Sequence, residues 1–460
     1  MATFNNARAS EFLDKHSLLS DLNAGQWDVI EDKLTVLQTG FETGATSDMY
    51  IEHALETFMH SSLDTRKSLN DWIKARPNSA FAHAARGIHY WRVHWHGNRN
   101  YPLPESQKAL FAPDGFLYQG DELEKARADL KKAISLNPRL GAAHSYLISV
   151  EMIDKSQSAK GIAYRKALNV VPDSDAVKWR YFFSLVPQWR GHKTNAILEV
   201  KLANFMAKRK GHADAPENFL TYFDGMKYSN RGKRKLALEF FEQATTETTR
   251  WYIGYDYADM LIKNKKYDKA IVTAQAVLEK YPQNPQLLSA IARAHCNLEN
   301  YEAAFEFWKE ALTLDPHDPV ILDYSAWCRV EWGRKIENGK VQTQATTAKE
   351  QYELAFDDMQ AATVYTGLAR HIRFRQGSIL TYRLKRHEDA LRHTKFLMTV
   401  KPGTTKYMNL HSQVMFGSHS CEFKTFDMKI LDKCQSGSCS KYIRNSVNWR
   451  ASVVRENGWC

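Results

Sequence analysis

The feature that most constrains the fold of this chain is a period of 34 residues. Pro138 and Pro172 are 34 positions apart, and so are Pro282 and Pro316. The same separation recurs in two further pairs, Tyr267 with Tyr301 and Ala270 with Ala304. Because proline cannot continue a helix, each proline predicts the end of one. A period of this length indicates a helix-turn-helix repeat.

Repeats of this kind stack on their neighbours, since no single repeat can bury its own apolar face. The sequence therefore predicts an all-α, tetratricopeptide-like helical solenoid. Its 460 residues, 43% of them hydrophobic, are enough for an ample core. We expect a short irregular tail at the C-terminal end, because the helical period fades beyond Gly403.

The pattern of repeats and breaks predicts a domain organisation. Residues 1–207 form an N-terminal helical-repeat domain, with a loop insertion near 96–120 where prolines and glycines interrupt the period. A basic linker at 208–216 leads to a tetratricopeptide-repeat domain at 217–402. The tail, 403–460, contains four of the six cysteines: Cys421, Cys434, Cys439 and Cys460.

Residues 250–320 closely resemble the tetratricopeptide repeat. Small residues, Ala258 and Ala292, stand at the eighth position of two successive repeats. The tyrosines, alanines and prolines of the 34-residue pairs stand at the expected later positions. The resemblance implies that the first helix of each repeat lines a concave groove, and that this groove holds a protein or peptide partner.

The N-terminal half, residues 30–205, resembles an uncharacterised bacterial family. The matching motifs are Arg76 to Ser79 followed by Ala85-Arg86-Gly87, and a turn from Pro187 to His192 that departs from the family pattern at Arg190 and His192. That family has no established activity. The resemblance implies a bacterial origin and an architecture rather than a reaction.

Candidate partner-binding residues follow from the groove positions of the tetratricopeptide pattern. Aromatic and arginine side chains contribute most of the binding energy at many interfaces, and mixed charge favours a polar partner segment. The candidates are Tyr252, Tyr255, Asp259, Lys263, Ser289, Arg293, Asn297, Asp323, Trp327 and Glu331, with Trp91, Arg92 and Trp179 from the N-terminal half.

Catalytic and metal chemistry find little support in the sequence. It contains no phosphate-binding loop, nucleophile elbow or paired-histidine zinc helix. His83, His89, His94 and His96 lack the three- or four-residue spacing that would place two imidazoles on one helical face. We therefore expect no enzyme, no cofactor and no metal, while the tail cysteines could be free, disulfide-bonded or zinc-bound.

The sequence favours a non-catalytic interaction module, acting as a scaffold or as an immunity or adaptor protein for a secreted toxin. The alternative is nucleic-acid binding through basic clusters at 208–210, 231–235 and 263–266, in line with a net charge of +11. No apolar stretch predicts a membrane segment or a leader, so the expected location is the cytoplasm. The sequence leaves the oligomeric state open.

Overall fold

The computed structural model describes residues 14–59, 62–98, 100, 102–112, 117–153, 157–184, 214–245, 250–401 and 403–417. Within these ranges the chain contains helices and turns and no β-strand. This confirms the predicted all-α helical-repeat solenoid. The predictions for the turn at 187–192, the basic cluster at 208–210 and the four tail cysteines concern residues outside these ranges.

Up to residue 184 the helices are α1 (Lys15–Asn23), α2 (Trp27–Glu42), α3 (Met49–Leu55), α4 (Leu63–Ala75), α5 (Ala80–Gly97), α6 (Glu105–Phe111), α7 (Glu122–Leu136), α8 (Gly141–Ile153), α9 (Gln157–Val170) and α10 (Asp175–Ser184). A 3₁₀ turn, Glu56–Met59, continues α3.

From residue 214 the helices are α11 (Asp214–Asn230), α12 (Arg234–Ala244), α13 (Trp251–Lys263), α14 (Tyr267–Leu278), α15 (Pro285–Asn297), α16 (Tyr301–Leu314), α17 (Pro319–Glu337), α18 (Ala348–Ala361), α19 (Thr363–Thr366), α20 (Arg370–Ser378), α21 (His387–Val400) and α22 (Thr405–Gly417). A short π-helix, Ile379–Arg383, follows α20.

Small residues allow the paired helices to pack closely. A Cβ atom on Gly87 of α5 would lie 2.8 Å from Leu130 Cγ of α7 and 3.2 Å from the Ala126 carbonyl oxygen. At the equivalent place in the later repeats, Ala258 and Ala292 are fully buried. The small residues at the eighth position thus bring two helix axes together, as the sequence predicts.

The turns within the repeats share a backbone conformation. Lys265 (φ 61°) and Glu299 (φ 64°) are 34 residues apart, and each adopts a left-handed conformation two residues before the second helix of its repeat. Lys385 (φ 58°) stands in the same place before α21. A left-handed residue of this kind ends the preceding helix and reverses the chain.

The chain divides into two compact units. The first takes Met1–Gly97 and Leu117–Ile321, and the second takes Asn98–Phe116 and Leu322–Cys460. The first unit thus combines the N-terminal helices with the repeats of α13 to α16, which the sequence analysis assigns to the two domains 1–207 and 217–402. Three residues of the expected linker, 214–216, already belong to α11.

Two helices lie in segments where the sequence indicates irregular structure. The insertion near 96–120 contains the short helix α6. After Gly403, α22 extends to Gly417 and packs against α21. In the second unit, Leu410 of α22 and Phe396 of α21 are fully buried in one apolar cluster.

The helices of the first unit curve round until its early and late parts meet. The side-chain oxygen of Gln283 accepts hydrogen bonds from the backbone N–H groups of Lys15 (2.6 Å) and His16 (3.3 Å) at the start of α1. The ring of His53 stands edge-on to Tyr281, with centroids 5.5 Å apart. Helices α1 and α3 therefore contact the turn between α14 and α15.

Candidate functional site

A cavity of about 230 Å³ lies inside the first unit, where the inner faces of several helices converge. We call it the central cavity. Helices α5, α8, α10 and α13 supply its aromatic side chains, and α1, α3 and the turn before α15 close it. The aromatic lining residues are Trp91, Trp95, Tyr146, Trp179, Phe183, Trp251 and Tyr252.

The aromatic rings of the cavity contact one another in two groups. Trp91 stacks on Trp95 with centroids 5.7 Å apart and meets Tyr146 edge-on at 5.3 Å. On the other side, Tyr252 contacts Trp179 at 6.4 Å and Phe183 at 5.7 Å. Ring pairs of this geometry contribute about 0.5–1.5 kcal/mol each beyond the burial of their area.

The charges of the cavity pair within the wall. Glu52 binds two arginines, Arg180 at 3.1 Å and Arg250 at 3.3 Å, and accepts a hydrogen bond from Ser145 Oγ at 2.5 Å. Arg92 pairs with Asp315 at 3.1 Å and with Asp318 at 2.5 Å.

Two further ionisable groups, Lys15 and Glu56, complete the wall. Burial lowers the pKa of Lys15 to about 8, although the carboxylates of Glu56 and Asp315 oppose this shift. Burial alone would raise the pKa of Glu56. A hydrogen bond from His53 and the charges of Lys15 and Arg180 outweigh it and bring that pKa to about 2. The carboxylates of the wall thus compensate its cations.

The arginines also cover aromatic faces. The guanidinium carbon of Arg180 lies 4.5 Å from the centroid of the Tyr146 ring, and that of Arg250 lies 5.8 Å from the centroid of Trp179. These are cation–π distances. Two of the ring faces that could attract a cationic ligand, those of Tyr146 and Trp179, therefore already carry the chain's own cations.

Some polar atoms of the wall have no hydrogen-bond partner among the described residues. Among them are Trp91 Nε1, Thr57 Oγ1 and Ser149 Oγ. All three side chains are at least nine-tenths buried. An unpaired buried donor or acceptor costs about 1–3 kcal/mol, so this wall has unused capacity for hydrogen bonds.

The structure places four of the candidate binding residues together. Trp91, Arg92, Trp179 and Tyr252 all line the central cavity. Tyr255 packs instead against the apolar cluster between α13 and α15.

Most of the charged candidate residues form ion pairs or hydrogen bonds with other residues of the chain. Asp259 pairs with Lys263 at 2.5 Å and with Arg293 at 2.8 Å, and Asn297 donates to the Arg293 carbonyl at 2.7 Å. Their mixed charge was expected to meet a polar partner segment. In the structure Asp259 neutralises Arg293, a buried arginine that is 6% exposed.

The remaining candidates also have contacts within their own unit. Ser289 is buried and accepts a hydrogen bond from Trp308 Nε1 at 3.2 Å. In the second unit, Asp323 pairs with Arg375 at 3.0 Å, Glu331 pairs with Arg334 at 2.5 Å, and Trp327 is half-buried.

Sequence reasoning missed several residues of the cavity, Arg180 and Arg250 among them. A signal for the first was present. The dipeptide Trp91-Arg92 of α5 recurs as Trp179-Arg180 in α10, and both pairs reach the cavity. Glu52 and Lys15 carried no such signal, since they come from helices outside the regular repeats.

The basic clusters and histidines have ordinary surroundings. Arg231, Lys233 and Arg234 are exposed around the turn between α11 and α12. His83 lies 3.2 Å from Asp129 and 3.1 Å from the Pro77 carbonyl.

No set of three or more potential metal ligands occurs in the part of the chain that the structure describes. Among those same residues, none of the helices has the length and apolarity needed to cross a membrane.

No protein-family model matches the chain, and no curated protein matches it. Solved structures do align with it. A tetratricopeptide repeat protein from Parabacteroides merdae shares 14% identity over 64% of this chain and 93% of its own, with a TM-score of 0.33. PilF of Pseudomonas aeruginosa shares 12% identity over 63% of this chain and 90% of its own, with a TM-score of 0.26. MamA from Desulfovibrio magneticus shares 17% identity over 42% of this chain and 98% of its own, with a TM-score of 0.30.

Proposed function

We propose that this chain is a non-catalytic interaction module that binds a partner protein or peptide through the central cavity. The observation that carries the proposal is the convergence of aromatic and arginine side chains from α5, α8, α10 and α13 on one cavity. These residue types are enriched where binding energy concentrates.

The size of the cavity defines the mode of binding. An apolar cavity of about 150 Å³ admits a benzene ring, whereas a helix is about 10 Å wide with its side chains. A space of about 230 Å³ therefore takes one side chain and not a helix. The partner is anchored by a single inserted residue and makes its other contacts around the entrance.

The first test is capture of a partner with tagged full-length protein, after nuclease treatment and at physiological salt, read by mass spectrometry. We expect one stoichiometric protein partner that is lost with Trp95→Ala. Trp95 is half-buried and lines the cavity. Trp327→Ala is the matched control, because Trp327 is also half-buried and does not line the cavity.

Retention of the partner by Trp95→Ala together with its loss in Trp327→Ala would transfer the binding site to the groove positions of α17. If no protein is captured and nucleic acid is lost on nuclease treatment, the result would favour the alternative function, nucleic-acid binding. In that case affinity should fall steeply as salt rises, since phosphate contacts release counterions.

The finer form of the function also belongs to this proposal. A secreted toxin as the captured partner supports an immunity or adaptor role in the cytoplasm of a bacterium, whereas several unrelated partners support a general scaffold. The resemblance of residues 30–205 to an uncharacterised bacterial family fits either form.

A further inference from the structure

We propose that the central cavity selects an uncharged, flat aromatic ring that carries a hydrogen-bond acceptor. This inference rests on the proposed binding role of the cavity and specifies its ligand. The ring is that of an aromatic side chain of a partner or of a small aromatic molecule, which share this chemistry.

The first argument is charge. Arg180 and Arg250 both pair with Glu52, and Arg92 pairs with Asp315 and Asp318. An anionic ligand would have to displace one of these carboxylates or lie beside it. A charge brought into a desolvated site without its own partner is strongly disfavoured.

A cationic ligand is disfavoured for a second reason. Aromatic cages for ammonium groups need free ring faces. Here the guanidinium of Arg180 covers Tyr146 at 4.5 Å, and that of Arg250 lies 5.8 Å from Trp179. A ligand cation would meet these arginines, so an uncharged ligand remains.

The third argument is the shape and polarity of the wall. Two groups of aromatic rings, built around Trp91 and Tyr252, line the cavity, and aromatic rings pack well against a further ring, stacked or edge-on. The indole N–H of Trp91 has no acceptor among the described residues. Indole nitrogen is a donor only, so the complementary ligand group is an acceptor.

The test compares three probes of nearly the same shape on the full chain: p-cresol, 4-methylbenzoate and 4-methylbenzylammonium. Binding is measured by calorimetry and by ligand-observed NMR. We expect p-cresol to bind at least ten-fold more tightly than either charged probe. Tighter binding of a charged probe would overturn the charge argument, and binding of none of the three would overturn the assignment of the cavity.

The donor role of Trp91 is tested with Trp91→Phe, which keeps an aromatic ring and removes the N–H. We expect its affinity for p-cresol to fall about five-fold or more and its affinity for toluene, which has no acceptor, to stay the same. An equal loss for both probes would show a packing change and overturn the donor role.

The source of the ring is settled by N-acetyl-tyrosinamide, which presents the same phenol on a peptide backbone. Tighter binding of this compound than of p-cresol supports a partner's side chain, and weaker binding supports a free small molecule. Failure of partner capture alongside tight p-cresol binding would refute the protein-binding function and leave the ligand chemistry standing.

Discussion

At the scale of single residues, Glu56 shows how the cavity keeps its charges balanced. Its carboxylate accepts a hydrogen bond from Tyr146 at 2.9 Å and lies 3.4 Å from His53 Nδ1. Burial alone would raise the pKa of this carboxyl group, but the hydrogen bond from His53 and the charges of His53, Lys15 and Arg180 hold that pKa near 2, against 4.5 for a free glutamate. The native state thus binds this proton more weakly than the unfolded chain does.

This difference gives a pH prediction. A carboxyl group with a lowered pKa stabilises the fold above its unfolded pKa, and the contribution is lost as pH falls from about 4.5 towards 2. We expect Glu56→Gln to lower the melting temperature at pH 7 and to flatten its decline between pH 5 and pH 2. Thermal melts across this range, followed by tryptophan fluorescence, check both effects.

Glu242→Gln is the control for this experiment. Glu242 pairs with Lys269 at 2.5 Å, but both side chains are about half exposed. Exposed pairs contribute about 0–1 kcal/mol, so the acid decline should keep its wild-type steepness. An equal flattening in both variants would contradict a special role for Glu56.

At the scale of the helix pair, Gly87 fixes the distance between α5 and α7. Gly87→Ala places a methyl group against Leu130 and the Ala126 carbonyl, at 2.8 and 3.2 Å. Overpacking of this kind costs about 1–3 kcal/mol, and the higher helix propensity of alanine recovers about 1 kcal/mol. We expect a net loss of about 1 kcal/mol, measured by thermal or urea unfolding.

Gly161 of α9 is the matched glycine with free space. Its nearest neighbour for an added Cβ is Arg165 Nη1 at 3.5 Å, an ordinary contact distance. Gly161→Ala should therefore raise stability by about 0.5–1 kcal/mol. Stabilisation by both substitutions would refute close packing as the reason for glycine at position 87.

The same scale shows what sequence reasoning can and cannot reach. The pairs α13–α14 and α15–α16 were predictable, because Tyr267, Tyr301 and the prolines repeat their local pattern. Helix α6 was not, since only seven residues form it and its stability comes from far along the chain. Arg392 donates hydrogen bonds to the carbonyls of Leu110 (3.2 Å) and Ala112 (3.3 Å) at the C-terminal end of α6.

The candidate site divides in the same way. Their positions in the helices made four candidate binding residues recognisable: Trp91, Arg92, Trp179 and Tyr252. The cavity that these residues line together could not be predicted. It depends on contacts such as Arg180 with Glu52, 128 residues apart. A repeat pattern specifies neighbours along the chain and carries no information about such distant partners.

At the scale of the whole molecule, the closure of the first unit depends on Gln283. Its backbone is left-handed, with φ 55°, and its side chain accepts the first N–H groups of α1. We expect Gln283→Gly, which tolerates this φ, to release α1. Amide exchange in Lys15–Asn23 should accelerate about ten-fold or more, since two hydrogen bonds of about 1 kcal/mol each are lost.

Lys265→Gly is the control for this prediction. Lys265 has nearly the same backbone conformation (φ 61°) and an exposed side chain. Its substitution should leave exchange in α1 unchanged. Acceleration by both variants would mean that turn flexibility, rather than the contact with α1, governs the exchange.

The contact between Lys15 and Gln283 joins residues 268 positions apart. On the ribosome, at about 5–20 residues per second, the nascent α1 waits roughly 13–54 s before its partner has been made. During that time the aromatic side chains that will line the cavity lack their closing neighbours. Synthesis of this protein therefore includes a period in which the first unit has not closed and chaperones have access to its interior.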